Sequence, residues 1–446
     1  MKKRIMSCLM ALALCLTLLP ATAQAADNTH EHCLCGAEHK SDIKTHQEGD
    51  KTNFEKWLKS DSAGSEYGLW IDDGTTEGKM LEKDSISNCL KLPAGTYYLL
   101  EGAEHSDVLR ISHPIVIEEE VTICLNGKTI QSTGAGTVFQ VIGSGKLTLT
   151  DCTNKGKVQH EDYTSTEQIG SGVEVESGGT FNMYGGTITK NKAPHGGGVY
   201  VGEGGTFNMY GTSSITDNTA MDNGNGSGGG VYVNSGTFTM SGGTISSNTA
   251  DSSDGGVGVY NSGTFTMNGT AKITGNEAKN LSGGVGVYGT AKFIMNGGTI
   301  GGTNASDANT ATHGGGVGVK ASATFTMGGS ASVSGNKATQ NGGGVYMYGG
   351  KFEMSGDASI IKNKATSNGG GVGVYDNGTF TMKGGTIGGG EDNANKADQG
   401  GGVYVSSGTF TMSGGRITGN HNNGVFVHNT ANTTFTVSGA PTVMGN

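Results

Sequence analysis

Proline is almost missing from this chain, with 5 in 446 residues, and tryptophan occurs twice. So little proline excludes a polyproline rod or a proline-rich linker. Arginine is as scarce: beyond the first four residues only Arg110 and Arg416 remain, and the formal net charge is −10. A surface built to bind nucleic acid or an anionic membrane needs the opposite balance, so neither partner is expected. No cysteine follows Cys152, which excludes a disulfide scaffold for the long C-terminal part. Long apolar runs are missing too. The one candidate, Ile5 to Leu19, is too short to span a bilayer. Lys2, Lys3 and Arg4 precede it and Ala23-Gln24-Ala25 follows it, the pattern of a cleaved secretory signal over residues 1–25. The expected protein is therefore secreted or held at a cell surface, and not integral to a membrane. Losing the signal takes the net charge to −13 and leaves Cys33, Cys35, Cys89, Cys124 and Cys152.

Glycine is what the chain has instead, 82 residues of it, and it is periodic. Phe recurs at 181, 207, 238, 265, 293, 325, 352, 380, 410 and 435, in steps of 25 to 32. Around each Phe the unit reads G-V-[YG]-V, a short turn, T-F-T-M, a Gly turn, then T-I-x-x-N. Within one unit Val231, Val233, Phe238, Met240 and Ile245 share the parity of an inward face, while Tyr232, Thr237 and Thr239 point out. Each unit is thus expected to be three very short strands. Five buried side chains cannot offset the backbone entropy of a whole unit, so neighbouring units must supply the strand hydrogen bonds. Stacked three-stranded coils make a parallel β-helix. A propeller would need blades of about 40–45 residues with four strands.

Asn191, Asn218, Asn248, Asn276, Asn336, Asn363 and Asn420 each fall three residues after Ile or Val. A fixed offset suits a structural ladder: an Asn can take a left-handed turn, and stacked amides can bond coil to coil. The "GGGV" phrase is read as turns and close backbone packing; no helix and no Lys-Ser/Thr follow it, so it is not a phosphate loop. Earlier phrases from about residue 95 carry the same rhythm, with Cys124 and Cys152 as a buried thiol pair or a coil-to-coil disulfide. The organisation follows: signal 1–25, a His/Cys-rich arm 26–50, a capping segment 51–84, and the β-helix 85–446 with regular repeats from about 170.

The "GGTI-x-x-N" and "GGGVYV" pattern over about 170–446 resembles the β-helix repeats of bacterial surface proteins in the pectin-lyase-like superfamily. It is most similar to the polymorphic membrane protein and adhesin type. That resemblance implies a right-handed coil and a surface role, and specifies the fold better than the function.

Four further features bear on chemistry. The arm "HEHCLCGAEH" places His30, His32, Cys33, Cys35 and His39 together, a donor set suited to Zn²⁺, against the alternative of a plain N-terminal arm. In "TNFEKWLKS", Phe54, Trp57 and Leu58 fall at helical spacing and predict a short helix lying over the first coil; Trp57 and Trp70 could alternatively form an aromatic sugar platform. Carboxylates (Asp222, Asp251, Asp254, Glu277, Asp307, Glu391, Asp392, Asp398) lie mostly in the loops after the Asn ladder. Only the pair Glu391 and Asp392 is tight enough to suggest a glycan-cleaving site. Finally, outward Thr pairs such as Thr237/Thr239 and Thr264/Thr266 form columns that resemble those of ice-binding β-helices, although Lys292/Ile294 and Lys351/Glu353 interrupt them. Ranked together, these features predict a structural or adhesive rod that binds a glycan or protein partner, with a carbohydrate-active enzyme second and an ice-binding face third. The final coil, ending at Asn446, is expected to expose Val437 and Val443 beside an open strand edge, which would favour end-to-end self-association.

Overall fold

The computed structural model describes residues 29–33, 43–47, 56–63, 66–72, 79–81, 84, 88–101, 106–161, 170–430 and 432–446. The chain winds into a right-handed parallel β-helix of about 12 turns.

One coil explains the rest. Val231–Asn234 is the first strand, Thr237–Met240 the second and Thr244–Ser246 the third. Val231, Val233, Phe238, Met240 and Ile245 are wholly buried, whereas Tyr232, Thr237 and Thr239 are not. Each strand pairs in parallel with its counterpart in the next coil: Val231 with Val257, Phe238 with Phe265, Ile245 with Ile273. Alternation of side chains thus fills one continuous interior. Glycine closes the turns where nothing larger fits. Gly243 sits at φ +78°, and a Cβ there would lie 2.6 Å from the Ser213 carbonyl oxygen of the coil below.

The interior is ordered in columns. From Phe181 to Phe435, rings of successive coils stack with centroids 4.6–4.9 Å apart and planes within 13°. That separation is the spacing of neighbouring strands, so coil stacking sets it.

The expected three strands per coil become four. After the third strand a two-residue strand follows, Thr249–Ala250 in this coil, pairing with Glu277–Ala278 in the next. Seven strands, five of them two residues long, form a sheet of their own, and their Ala residues are buried in a column including Ala220, Ala250, Ala278 and Ala311. Two residues are too short to show any period, and a small Ala carries little hydrophobic signal.

The helix expected around Phe54 to Leu58 is also not what forms among the described residues; Phe54 itself lies outside them. Lys56–Ala63 is a strand. It pairs antiparallel with Glu66–Asp72 and parallel with Gly95–Glu101 of the first coil, and Leu58, Leu69 and Ile71 join the main core. The first coil offers a row of unpaired N–H and C=O groups, which a strand satisfies and a helix cannot. Trp57 pairs with Asp72 and Lys59 with Trp70 in that hairpin. Cys124 and Cys152 are thiols with sulfurs 3.7 Å apart; they are offset by two residues rather than stacked, since Cys124 pairs with Thr150. The final coil leaves Val437, Val443 and Met444 about half exposed. Among the described residues, no helix is long and apolar enough to cross a membrane.

Candidate functional site

Between the third and fourth strands runs an asparagine column: Asn191, Asn218, Asn248, Asn276, Asn309, Asn336, Asn363, Asn395, Asn420 and Asn446. In each step the Nδ2 donates to the next Asn Oδ1 at 2.9–3.1 Å. The backbone N–H donates to the same oxygen at 3.0–3.3 Å. A second Nδ2 bond reaches the inward Ile or Val carbonyl one coil back, as from Asn363 to Val333 at 2.9 Å. Where the three-residue offset holds, the left-handed turn conformation belongs to the residue before the Asn, for example Lys190, Asp217, Ser247 and Lys362 at φ +56° to +58°, and not to the Asn; before Asn309 and Asn395, Ala308 and Ala394 are extended. The amide is needed for its bonds; the turn strain is carried next door.

Asn309 and Asn395 escape the three-residue offset because short 3₁₀ turns, Ala305–Asp307 and Glu391–Asn393, are inserted between the inward Ile and the Asn. His160 stands at the head of the column. Its Nδ1 lies 2.8 Å from Asn191 Oδ1 and its Nε2 2.8 Å from the Gly136 carbonyl oxygen. The ladder fixes Asn191 with its oxygen toward the ring, so His160 faces two acceptors, while a neutral imidazole has one N–H to give. Burial lowers its pKa and outweighs the opposing pull of those two oxygens. From Asn191 to Asn420 the column is buried, and only its last member, Asn446, is exposed.

The outer face carries a second aromatic stack, over the first strands. Tyr200, Tyr232, Tyr260 and Tyr288 follow one another at 5.6, 4.7 and 4.5 Å. The alternation between V-Y-V and V-G-V-Y has its cause here. In the second form the ring folds back over the Gly: a Cβ on Gly258 would lie 2.9 Å from Tyr260 Cε2, and one on Gly286 2.6 Å from Tyr288 Cε2. Beneath these rings Asp254, a residue its loop position suggests is exposed, is fully buried. Tyr260 and Tyr288 donate their hydroxyls to its two oxygens at 2.6 and 2.7 Å. Burial drives its carboxyl up to about 7, against the pull of those hydrogen bonds.

Stacked rings present edges to solvent, so only the end of a stack offers a ring face. That end is a pocket of about 270 Å³ lined by Thr137, Ser171, Glu174, Pro194, His195 and Tyr200. His195 and Tyr200 both lie against the ring of Tyr232, at 4.8 and 5.6 Å. His195 Nδ1 is buried with no hydrogen-bond partner. Its imidazole is pushed down by burial, with Asp222 and Asp251 opposing. The Glu174 carboxyl is raised, first by burial and then by the charge of Glu176, which is itself tied to Gln140 at 2.6 Å. Polar groups lacking partners, set beside an aromatic face, suit the hydroxyls and apolar C–H faces of a sugar. The sequence hides this pocket because Glu174, His195 and Tyr200 come from two different coils.

Glu391 and Asp392 lie exposed on the inserted turn Glu391–Asn393. They border a second pocket of about 250 Å³ whose other walls carry Lys337, Lys362, Lys364 and Lys396. Asp251 is held structurally, accepting the backbone N–H groups of Asp222, Gly224 and Gly226 at 2.6–3.2 Å. The outward Thr residues are in register, Thr237 with Thr264 and Thr379 with Thr409. The array is broken, and Glu353 is tied to Lys383 at 2.8 Å. In the arm, His30, His32 and Cys33 fall on the strand Thr29–Cys33; the proposed zinc set as a whole, with Cys35 and His39, lies outside the residues whose side chains are described, as does the signal. No family model, curated protein or solved structure matches this chain.

Proposed function

We propose that this protein is a secreted or surface-held binding rod of the adhesin kind within the pectin-lyase-like fold, and that its partner is a glycan. The observation that carries this reading is the pocket at the end of the tyrosine stack. There the faces of Tyr200 and His195 adjoin a raised carboxyl on Glu174 and an imidazole nitrogen without a partner. A sugar ring laid on Tyr200 would gain an apolar contact and exchange a hydrogen bond with the Glu174 carboxyl. The rest of the rod is a spacer whose length is set by the number of coils.

Binding is favoured over cleavage. The carboxylates with the strongest sequence case, Glu391 and Asp392, sit on an exposed turn, and among the described residues no hydrogen bond or ion pair ties either of them to a lysine of the same pocket, so no acid and base are held there in a fixed geometry.

A glycan array probed with residues 26–446 is expected to give a defined set of bound sugars. Tyr200→Ala should weaken the strongest of them by about tenfold or more while leaving the melting temperature near its original value. An array with no bound sugars, or binding indifferent to Tyr200→Ala, would count against the pocket. Shortening of a bound polysaccharide on prolonged incubation would favour the enzyme instead.

A further inference from the structure

The fourth strands carry an outward column reading Lys192, Thr219, Thr249, Glu277, Thr310, Lys337, Lys364, Lys396 and His421. Toward its end the column turns basic. Lys337 pairs with Lys364, and Lys364 with Lys396, in parallel register. Their side chains are therefore rooted one strand spacing apart, about 4.8 Å, over roughly 10 Å in all. Lysines placed directly opposite one another repel. Proteins ordinarily relieve such a row with interleaved carboxylates. Here, among the described residues, none of the side chains of Lys337, Lys362, Lys364 and Lys396 makes an ion pair or hydrogen bond, although Glu391 and Asp392 line the same pocket.

Lys362 extends the row. It occupies the left-handed position before the ladder Asn, at φ +58°, as Lys190, Asp217 and Ser247 do in other coils, while Gly275, Gly335 and Gly419 hold that position elsewhere. A lysine there costs backbone strain of about 1–2 kcal/mol that glycine avoids, and its side chain borders the pocket with the other three.

We infer that this groove binds a linear oligosaccharide bearing anionic groups on successive sugars, carboxylate or sulfate. Three ammonium groups in line suit a ligand whose charges are themselves in line, whereas a single small anion could engage only part of the row. Glu391 and Asp392 in the same lining can only accept hydrogen bonds when ionised, which suits a ligand with hydroxyl donors. The net negative charge of the whole chain disfavours a long nucleic acid. This groove is separate from the pocket at Tyr200, and neither site requires the other.

The test is a titration of the mature chain with a sulfated dextran oligosaccharide and, in a second arm, an oligouronate of similar length. The unsulfated dextran, inorganic sulfate and a short single-stranded DNA serve as comparisons. Binding of one or both acidic sugars is expected, weakening as salt is raised. Lys364→Gln should lower affinity about tenfold. Lys362→Gly should lower affinity too, yet raise the melting temperature by relieving the strained turn. Tyr200→Ala should leave this binding unchanged, which separates it from the sugar site at the stack end. Equal binding of the unsulfated parent, equal competition by inorganic sulfate, tighter binding of the DNA, no binding of either acidic sugar, or indifference to both lysine variants would each overturn the assignment.

Discussion

Replacing Asn363 by Leu is expected to destabilise the rod by about 3–5 kcal/mol, the cost of an orphaned buried donor plus misfit in a full space. Asn363 is wholly buried. Its Oδ1 accepts both the backbone N–H and the Nδ2 of Asn336, each at 3.0 Å, and its own Nδ2 donates to Val333 and to Asn395. Leucine answers none of these. It leaves the Asn336 N–H with no acceptor, and Asn395 loses its side-chain donor. Nor is there room for two methyl groups in place of the flat amide: a Cβ on Gly344 would already lie 2.9 Å from Asn363 Nδ2 and 3.0 Å from Ile360 Cγ2. A matched control exists on the outer surface, where Asn296 donates to Asn268 at 3.0 Å in solvent. Asn296→Leu breaks the same type of bond where water can replace it, and should cost less than about 1 kcal/mol. In a solenoid, where each coil touches only its neighbours, the damage is also local. Hydrogen exchange should therefore quicken first in the coils holding Asn336, Asn363 and Asn395. Thermal or urea melts in which the two variants lose equal stability would remove the ladder as a stabilising element.

The fold was legible because the repeat is redundant. Phe238, Met240 and Ile245 carry the same parity argument in ten successive coils, so substitutions in any one coil leave the period intact. The ladder was legible only where its spacing is undisturbed: Asn309 and Asn395 bond as the others do, but the inserted 3₁₀ turns move them away from the expected offset. His160 was invisible because its place in the column is taken by a different residue type. The pocket at Tyr200 and the lysine groove share another obstacle. Their residues are neighbours across coils, 26 to 32 positions apart in sequence, and only the register of pairing decides which side chains meet. Glu391 and Asp392 illustrate the cost of reading one coil alone. As adjacent acids they suggest catalysis; with Lys337, Lys364 and Lys396 they line one and the same pocket.

Asp254 should contribute stability that is present near pH 4 and lost as the pH rises to about 7. Its carboxyl is held at about 7 in the folded chain against an ordinary 3.8. Across that interval the unfolded chain releases a proton that the native chain keeps. The native state then binds more protons than the unfolded one, so stability decreases with rising pH, and the effect is complete above about 7. Three pH units correspond to something on the order of 4 kcal/mol. The groups facing Asp254 are the Tyr260, Tyr288 and Ser282 hydroxyls, with Tyr232 near enough to feel its charge. None of them carries a positive charge to offset burial, which is why burial prevails. Asp254→Asn tests the assignment cleanly, because Asn accepts the left-handed backbone at φ +64° as readily as Asp does and is nearly the same size. The variant should match the parent near pH 4, exceed it in melting temperature at pH 8, and show a flatter profile between them. Taking the difference between the two proteins cancels every other titrating group. The tyrosine stack that ends in the sugar pocket would also stand on firmer ground in the variant, so glycan affinity at pH 8 should be retained. Parallel pH profiles for parent and variant from pH 4 to 8 would mean that Asp254 is not held protonated beneath Tyr260 and Tyr288.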